Sequence, residues 1–238
     1  MSQSLTYILF STLDAAVVNA LILKIYKQPL LRYKYKILVL SVALVICSFL
    51  MRTVINLPAL DLPLQYIIFV MFYYSVLEYR LHYAAFIIGS GLSAYISIQM
   101  IVYYCLATIA IADKSVIFAY TGFPVNAIQL CSIVVGAAIA LFLWMTGRGF
   151  SFIIVPPHDT FRIKYSEYSH RIVVISGIIS AVTIFLTLLI ILSQNYILLM
   201  ILSLASFGIA YYYSDRGDYE SVRSDIEKHC NKIEEEQP

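Results

Sequence analysis

Apolar runs of about twenty residues, broken by short polar turns, recur along nearly the whole chain. A bilayer core demands roughly 20 apolar residues of a helical span, and this repetition constrains the fold more than any local motif. Hydrophobic residues make up 61% and charged residues 13% of the chain, against about 25% charged in an average soluble domain. Lipid offers the backbone no hydrogen-bond partner, so each crossing must satisfy its own polar groups. The spans are longer than barrel strands and do not alternate. The expected fold is therefore all-α, a polytopic transmembrane helical bundle.

Seven spans are expected, at about Leu5–Leu23, Ile37–Ile55, Leu64–Leu77, Tyr83–Ile111, Asn126–Met145, Ile172–Leu192 and Tyr196–Tyr213. Residues 1–213 then form the bundle and 214–238 a polar helical tail. Met1–Ser4 has no positive n-region or small-residue cleavage site, so the first run reads as a retained span. The segment Lys24–Lys36 carries five Lys or Arg and no acidic residue. Such clusters beside a span stay cytoplasmic. With this segment inside, the inner segments 24–36, 78–82, 147–171 and 214–238 collect fourteen of the sixteen Lys and Arg. The exceptions are Arg52, within a span, and Lys114, in an outer loop. That asymmetry predicts an external N-terminus and a cytoplasmic C-terminus. A re-entrant hairpin of the last two spans would put the basic tail outside. An even span count would strand the 147–171 cluster outside. Net charge is +2, so no strong field argues for nucleic acid.

Tyr26, Tyr33, Tyr35, Tyr73, Tyr74, Tyr79, Tyr83 and the Tyr211–Tyr213 triplet fall near the inner boundaries. They read as anchors with a buried ring face and a wetted hydroxyl. Cys47, Cys105 and Cys131 lie in apolar runs and Cys230 in the tail, without framework spacing. The first three read as small buried hydrophobes, and no disulfide is implied. Small residues recur every four positions at Ala85, Gly89, Ser93 and Ser97, and again at Ser132, Gly136 and Ala140. Stripes of this kind let helix backbones approach closely.

Charged and amide side chains inside lipid are costly and mark functional sites or interhelical bonds. Asp14 lies about nine residues, or roughly 13 Å, from the outer end of span one. Arg52, near the outer end of span two, is placed to reach toward it. Gln65, Gln99 and Gln129 map to the outer parts of spans three to five. These five residues are the candidate ligand site, an outward-opening polar pocket. The alternative is a structural ion pair with interhelical hydrogen bonds.

No catalytic pattern accompanies them. Ile88-Gly89-Ser90-Gly91 lacks the Gly-x-Ser-x-Gly spacing of a nucleophile elbow. His82, His158, His170 and His229 sit in inner loops or the tail without metal-ligand spacing. Neither enzymatic activity nor a metal or cofactor is expected. In the 147–171 loop, Phe150, Phe152, Ile154, Phe161, Ile163 and Tyr165 follow a two-residue period, as in a hairpin or a surface-lying segment. In the tail, Tyr219, Val222, Ile226, His229 and Ile233 make a short heptad-like seam. Tyr219, Val222, Ile226 and Ile233 are its candidate partner-coupling positions, for a second protomer or another protein.

The run Arg52-Thr53-Val54-Ile55-Asn56-Leu57-Pro58 precedes a short turn, and Leu77-Glu78-Tyr79-Arg80-Leu81-His82-Tyr83-Ala84-Ala85 opens span four. With the basic loop after span one, these features resemble the membrane sensor region of peptide-pheromone receptor histidine kinases of the accessory-gene-regulator type in Gram-positive bacteria. The resemblance covers about residues 5–213 and is one of hydropathy and local texture. It implies a quorum-sensing-receptor-like bundle that binds an extracellular peptide and signals inward. His229 lies in Glu227-Lys228-His229-Cys230-Asn231, which departs from the family's His-Asp-Tyr-x-Asn pattern. With the chain ending at Pro238, neither a kinase domain nor autophosphorylation is expected.

Two functional readings follow. One is a kinase-less sensor or regulatory membrane protein that binds an extracellular peptide or small ligand and couples to a cytosolic or membrane partner. The other is the substrate-binding membrane subunit of a vitamin-type importer. A self-assembling scaffold is a third.

Overall fold

A computed structural model describes residues 2–57, 60–112, 122–151, 167–192 and 196–235. Among these, every regular element is helical. Helix α1 spans Ser2–Ile25, α2 Lys34–Phe49, α3 Asp61–Ser75 and α4 Leu81–Thr108. Helix α5 spans Phe123–Thr146, α6 Glu167–Leu192 and α7 Tyr196–Glu235. A 3-10 turn, Leu30–Tyr33, leads into α2, and a π-helical turn, Leu50–Val54, closes it. Five stretches are long and apolar enough to cross a membrane: Tyr7–Ile25, Leu30–Val54, Leu81–Thr108, Phe123–Thr146 and Ile197–Glu220. The chain is thus an all-helical bundle with five candidate membrane-spanning helices. Helix α3, at 15 residues, falls short of the roughly 20 needed for an untilted span.

Helix α4 is the centre, packing against α1, α3, α5, α6 and α7. Apolar and small residues surround it on all sides, as a helix buried in a bundle requires. Leu21, Ile22, Phe69, Phe86, Ile87 and Ile88 are among the most deeply buried side chains. Gly91 lets α1 and α4 meet, because a Cβ there would stand 2.3 Å from Ile22 Cγ1. Peripheral α5 buries only Val125, Ser132, Gly136 and Ala140. At Gly136 a Cβ would lie 2.8 Å from Val17 Cγ1 and 3.2 Å from the Tyr95 ring. The expected α5 stripe is therefore its contact with α1 and α4. Leu130, Val134, Leu141, Phe142 and Met145 of α5 are exposed and make an apolar outer face on a candidate membrane-spanning helix.

On α4, Ser93 donates to Ser206 Oγ (3.2 Å) and Ser97 to Ser203 Oγ (3.1 Å), both on α7. Ala85 instead faces α6, where a Cβ on Gly177 would lie 3.9 Å from it, and Gly89 is buried. Further along, the Tyr26 hydroxyl contacts Ser90 Oγ at 2.6 Å and Ser214 Oγ at 3.4 Å. Burial pushes the Tyr26 hydroxyl up to about 12, so it stays protonated at neutral pH. The Phe150 ring packs between Tyr26 and Tyr211, and its N–H donates to Ile25 O at 2.7 Å. The Ser151 N–H donates to Asp218 Oδ1, also at 2.7 Å. These contacts form a latch joining α1, α4, α7 and the segment after α5.

Several expectations change. Tyr26, Tyr33, Tyr73, Tyr79 and Tyr83 are core residues rather than interfacial anchors, while Tyr35, Tyr74, Tyr211 and Tyr212 are exposed. The Tyr73 hydroxyl donates to Asn19 Oδ1, whereas the Tyr79 hydroxyl is buried without a partner among the described residues. Cys105 and Cys131 are exposed thiols, because their helix faces turn outward, and Cys47 is half-buried. Helix α7 runs unbroken through residue 214, so bundle and tail share one 40-residue helix. Residues 152–166, with most of the alternating aromatic loop, lie outside the described residues.

Candidate functional site

At the end of the bundle opposite the basic Lys24–Lys36 turn, five helices enclose a polar cavity of about 150 Å³. Its lining repeats one spacing: Tyr7, Ser11 and Asp14 on α1, Asp61 and Gln65 on α3, Tyr95 and Gln99 on α4. Residues three or four apart share a helix face, so each helix turns a polar patch toward the same point. Ser48 of α2, Arg52 of the π turn and Gln129 of α5 complete it. In the π turn, Ile55 N–H reaches back five residues to Leu50 O at 2.9 Å, the wider geometry that often marks functional sites in helices. All five residues singled out from the sequence, Asp14, Arg52, Gln65, Gln99 and Gln129, line this one cavity.

The ion pair differs from the expected one. Arg52 Nε donates to Asp61 Oδ2 at 2.7 Å and not to Asp14. Asp61, with a side chain only 3% exposed, also accepts from Ser48 Oγ (2.7 Å) and Gln65 Nε2 (2.8 Å). Ser48 spends its single proton on Asp61, so the Tyr7 hydroxyl, 2.8 Å away, donates to Ser48. Asp61 is thus charge-paired and holds three donors. Two prolines made its surroundings read as a turn, yet Pro63 sits in the first turn of α3, where proline is tolerated. An acidic residue opening a helix also suits the helix dipole, and that was the available signal.

Asp14 has a different environment. Its Oδ1 accepts the Tyr95 hydroxyl proton, and Gln99 lines the cavity one turn further along α4. Among the described residues it has no ion-pair partner within 4 Å. In their ionised forms two carboxylates and one guanidinium leave the cavity one negative charge in excess. Gln129 Oε1 is buried without a donor, as is Ser132 Oγ one turn further along α5. Tyr95, Ser48 and Tyr7 were not distinguishable in the sequence from packing residues of the same types.

The remaining candidates lie elsewhere. Ala85, Ser93 and Gly136 meet a neighbouring helix, and Gly89, Ser132 and Ala140 are buried. Tyr219, Val222 and Ile226 are exposed on α7, and the Ile233 side chain lies outside the described set. Among the described residues no three His, Cys, Asp or Glu cluster as metal ligands would. Comparison with family models, curated proteins and solved structures finds no match.

Proposed function

We propose that this chain is a sensor-like or regulatory multi-pass protein of the cell membrane, with seven crossings, an external N-terminus and a cytoplasmic C-terminus. A small ligand, or one group of a peptide, enters the cavity from outside, and its occupancy is passed to a cytosolic or membrane partner or a second protomer. The observation that carries this reading is the convergence of five helices on a polar cavity at the end away from the basic segment. Lys and Arg beside a span resist translocation, which makes that end the outer one. Polar side chains inside a bundle are costly unless paired or used.

Helix α4 supplies the route inward. It carries Tyr95 and Gln99 at the cavity and, on its α7-facing side, Ser97, Ser93 and Ser90, whose hydroxyl contacts run to the latch at Ser214. A displacement of α4 is thereby coupled to α7. A vitamin-type substrate needs a pocket of several hundred Å³, so a cavity of about 150 Å³ favours the sensor-like reading.

The test is hydrogen exchange of residues 214–235 in lipid nanodiscs, with and without conditioned growth medium, plus mass spectrometry of co-purified small molecules. A ligand that binds and changes exchange in this segment is expected. A ligand that binds while exchange stays unchanged refutes the coupling. A reporter fused after Pro238 that is active outside the cell refutes the orientation.

A further inference from the structure

We infer that the cavity recognises a protonated primary amine, with Asp14 as its counter-ion; this rests on the outward-opening reading above. Asp61 is already charge-paired with Arg52 and also holds the Ser48 and Gln65 donors. Asp14 receives only the neutral Tyr95 hydroxyl and has no ion-pair partner within 4 Å among the described residues, and its second oxygen carries no hydrogen bond among them. Gln129 Oε1 is a buried acceptor without a donor. A buried unpaired acceptor carries an uncompensated desolvation penalty, and an incoming donor removes it.

With both carboxylates ionised the cavity carries one negative charge in excess, and its one guanidinium is paired with Asp61, so an anion is disfavoured. A primary ammonium brings one positive charge and three N–H donors. Asp14, Gln129 and the Gln99 amide oxygen offer three acceptors for them. Calcium takes six to eight oxygens, usually with several carboxylates, and Asp14 is the single uncommitted one here. The volume of about 150 Å³ admits an amine with a short stem and not a folded peptide. The amine is therefore a free small molecule or the N-terminus of a longer ligand whose remainder stays outside.

The test uses the full chain with each native cysteine replaced by alanine and Ser11→Cys placed as a reporter in the cavity wall. Right-side-out vesicles are labelled with a membrane-impermeant trimethylammonium methanethiosulfonate, at constant ionic strength. Ethylammonium is expected to slow labelling at least tenfold, and sodium or ethanol is expected to leave it unchanged. Diglycine amide and its N-acetyl form separate the sources. Protection by the free form as well as by ethylammonium indicates a peptide N-terminus, and protection by ethylammonium alone a small free amine; either supports the inference. Asp14→Asn abolishes protection, Gln129→Leu weakens it, and Asp215→Asn leaves it intact. Equal protection by sodium or ethanol overturns the amine assignment, as does labelling that no amine slows, although the latter leaves the outward cavity standing. Absence of labelling from outside overturns both.

Discussion

Exchanging Asp61 for Asn separates the observed pairing from the one expected between Arg52 and Asp14. The carboxylate of Asp61 is 3% exposed and holds three hydrogen bonds, one of them to a guanidinium at 2.7 Å. Removing one partner of a buried ion pair costs about 3–5 kcal/mol. The Arg52 side chain is 29% exposed, and that access to water reduces the cost, since solvent screens exposed charges. The expected loss for Asp61→Asn is about 2–3 kcal/mol, near that of a charged hydrogen bond with one neighbour left imperfectly matched. Arg52→Met should cost a similar amount. The double variant should cost less than their sum, with a coupling of roughly 2 kcal/mol. By contrast, Asp14→Asn still accepts from Tyr95, so it should change stability by less than about 1 kcal/mol. The assay is reversible unfolding in mixed micelles, followed by helical circular dichroism. Additive losses at positions 52 and 61, or a larger loss at Asp14 than at Asp61, would refute this assignment of the ion pair.

Two further substitutions probe the latch. Gly149 has φ +137°, and a Cβ there would stand 2.7 Å from Ile25 O and 2.8 Å from Lys24 O. Gly149→Ala should therefore cost about 1–3 kcal/mol and speed amide exchange at Phe150, whereas Gly147→Ala should cost less, having no atom within 4 Å of its Cβ. Tyr26→Phe keeps the ring contacts with Phe86 and Phe150 but loses the bridge to Ser90 and Ser214. It should cost about 0.5–1.5 kcal/mol in the same unfolding assay and loosen α7 near Ser214, read as faster exchange there.

The helices were legible because a membrane span is written as long-range hydropathy, which survives local irregularity. Their ends were less so. Hydropathy puts span two at Ile37–Ile55, but the α-helix begins at Lys34 and changes to a π turn at Leu50, a change in hydrogen-bond register that hydropathy does not encode. Asp14, Arg52, Gln65, Gln99 and Gln129 stood out because each is a strongly polar side chain in an apolar run. The pairing of Arg52 was not legible, since depth along separate helices does not specify which side chains face each other. Asp61 was obscured by flanking prolines, and Tyr95 by twenty tyrosines of equal appearance. Boundary position points the tyrosines to the interface, whereas burial follows tertiary packing, with hydroxyl partners such as Asn19, Ser90 and Ser214 for Tyr73 and Tyr26.

Helix α7 is 40 residues long, about 60 Å at 1.5 Å per residue and roughly twice the thickness of a hydrocarbon core. From Ser214 to Glu235 it forms a helical arm of about 30 Å. Were it to swing 10° about a pivot at Tyr26, the far tip would sweep roughly 5 Å, a full helical turn. Mechanical gain of this kind lets a sub-ångström adjustment among close-packed helices arrive at the tip as a shift large enough to change which surface is presented.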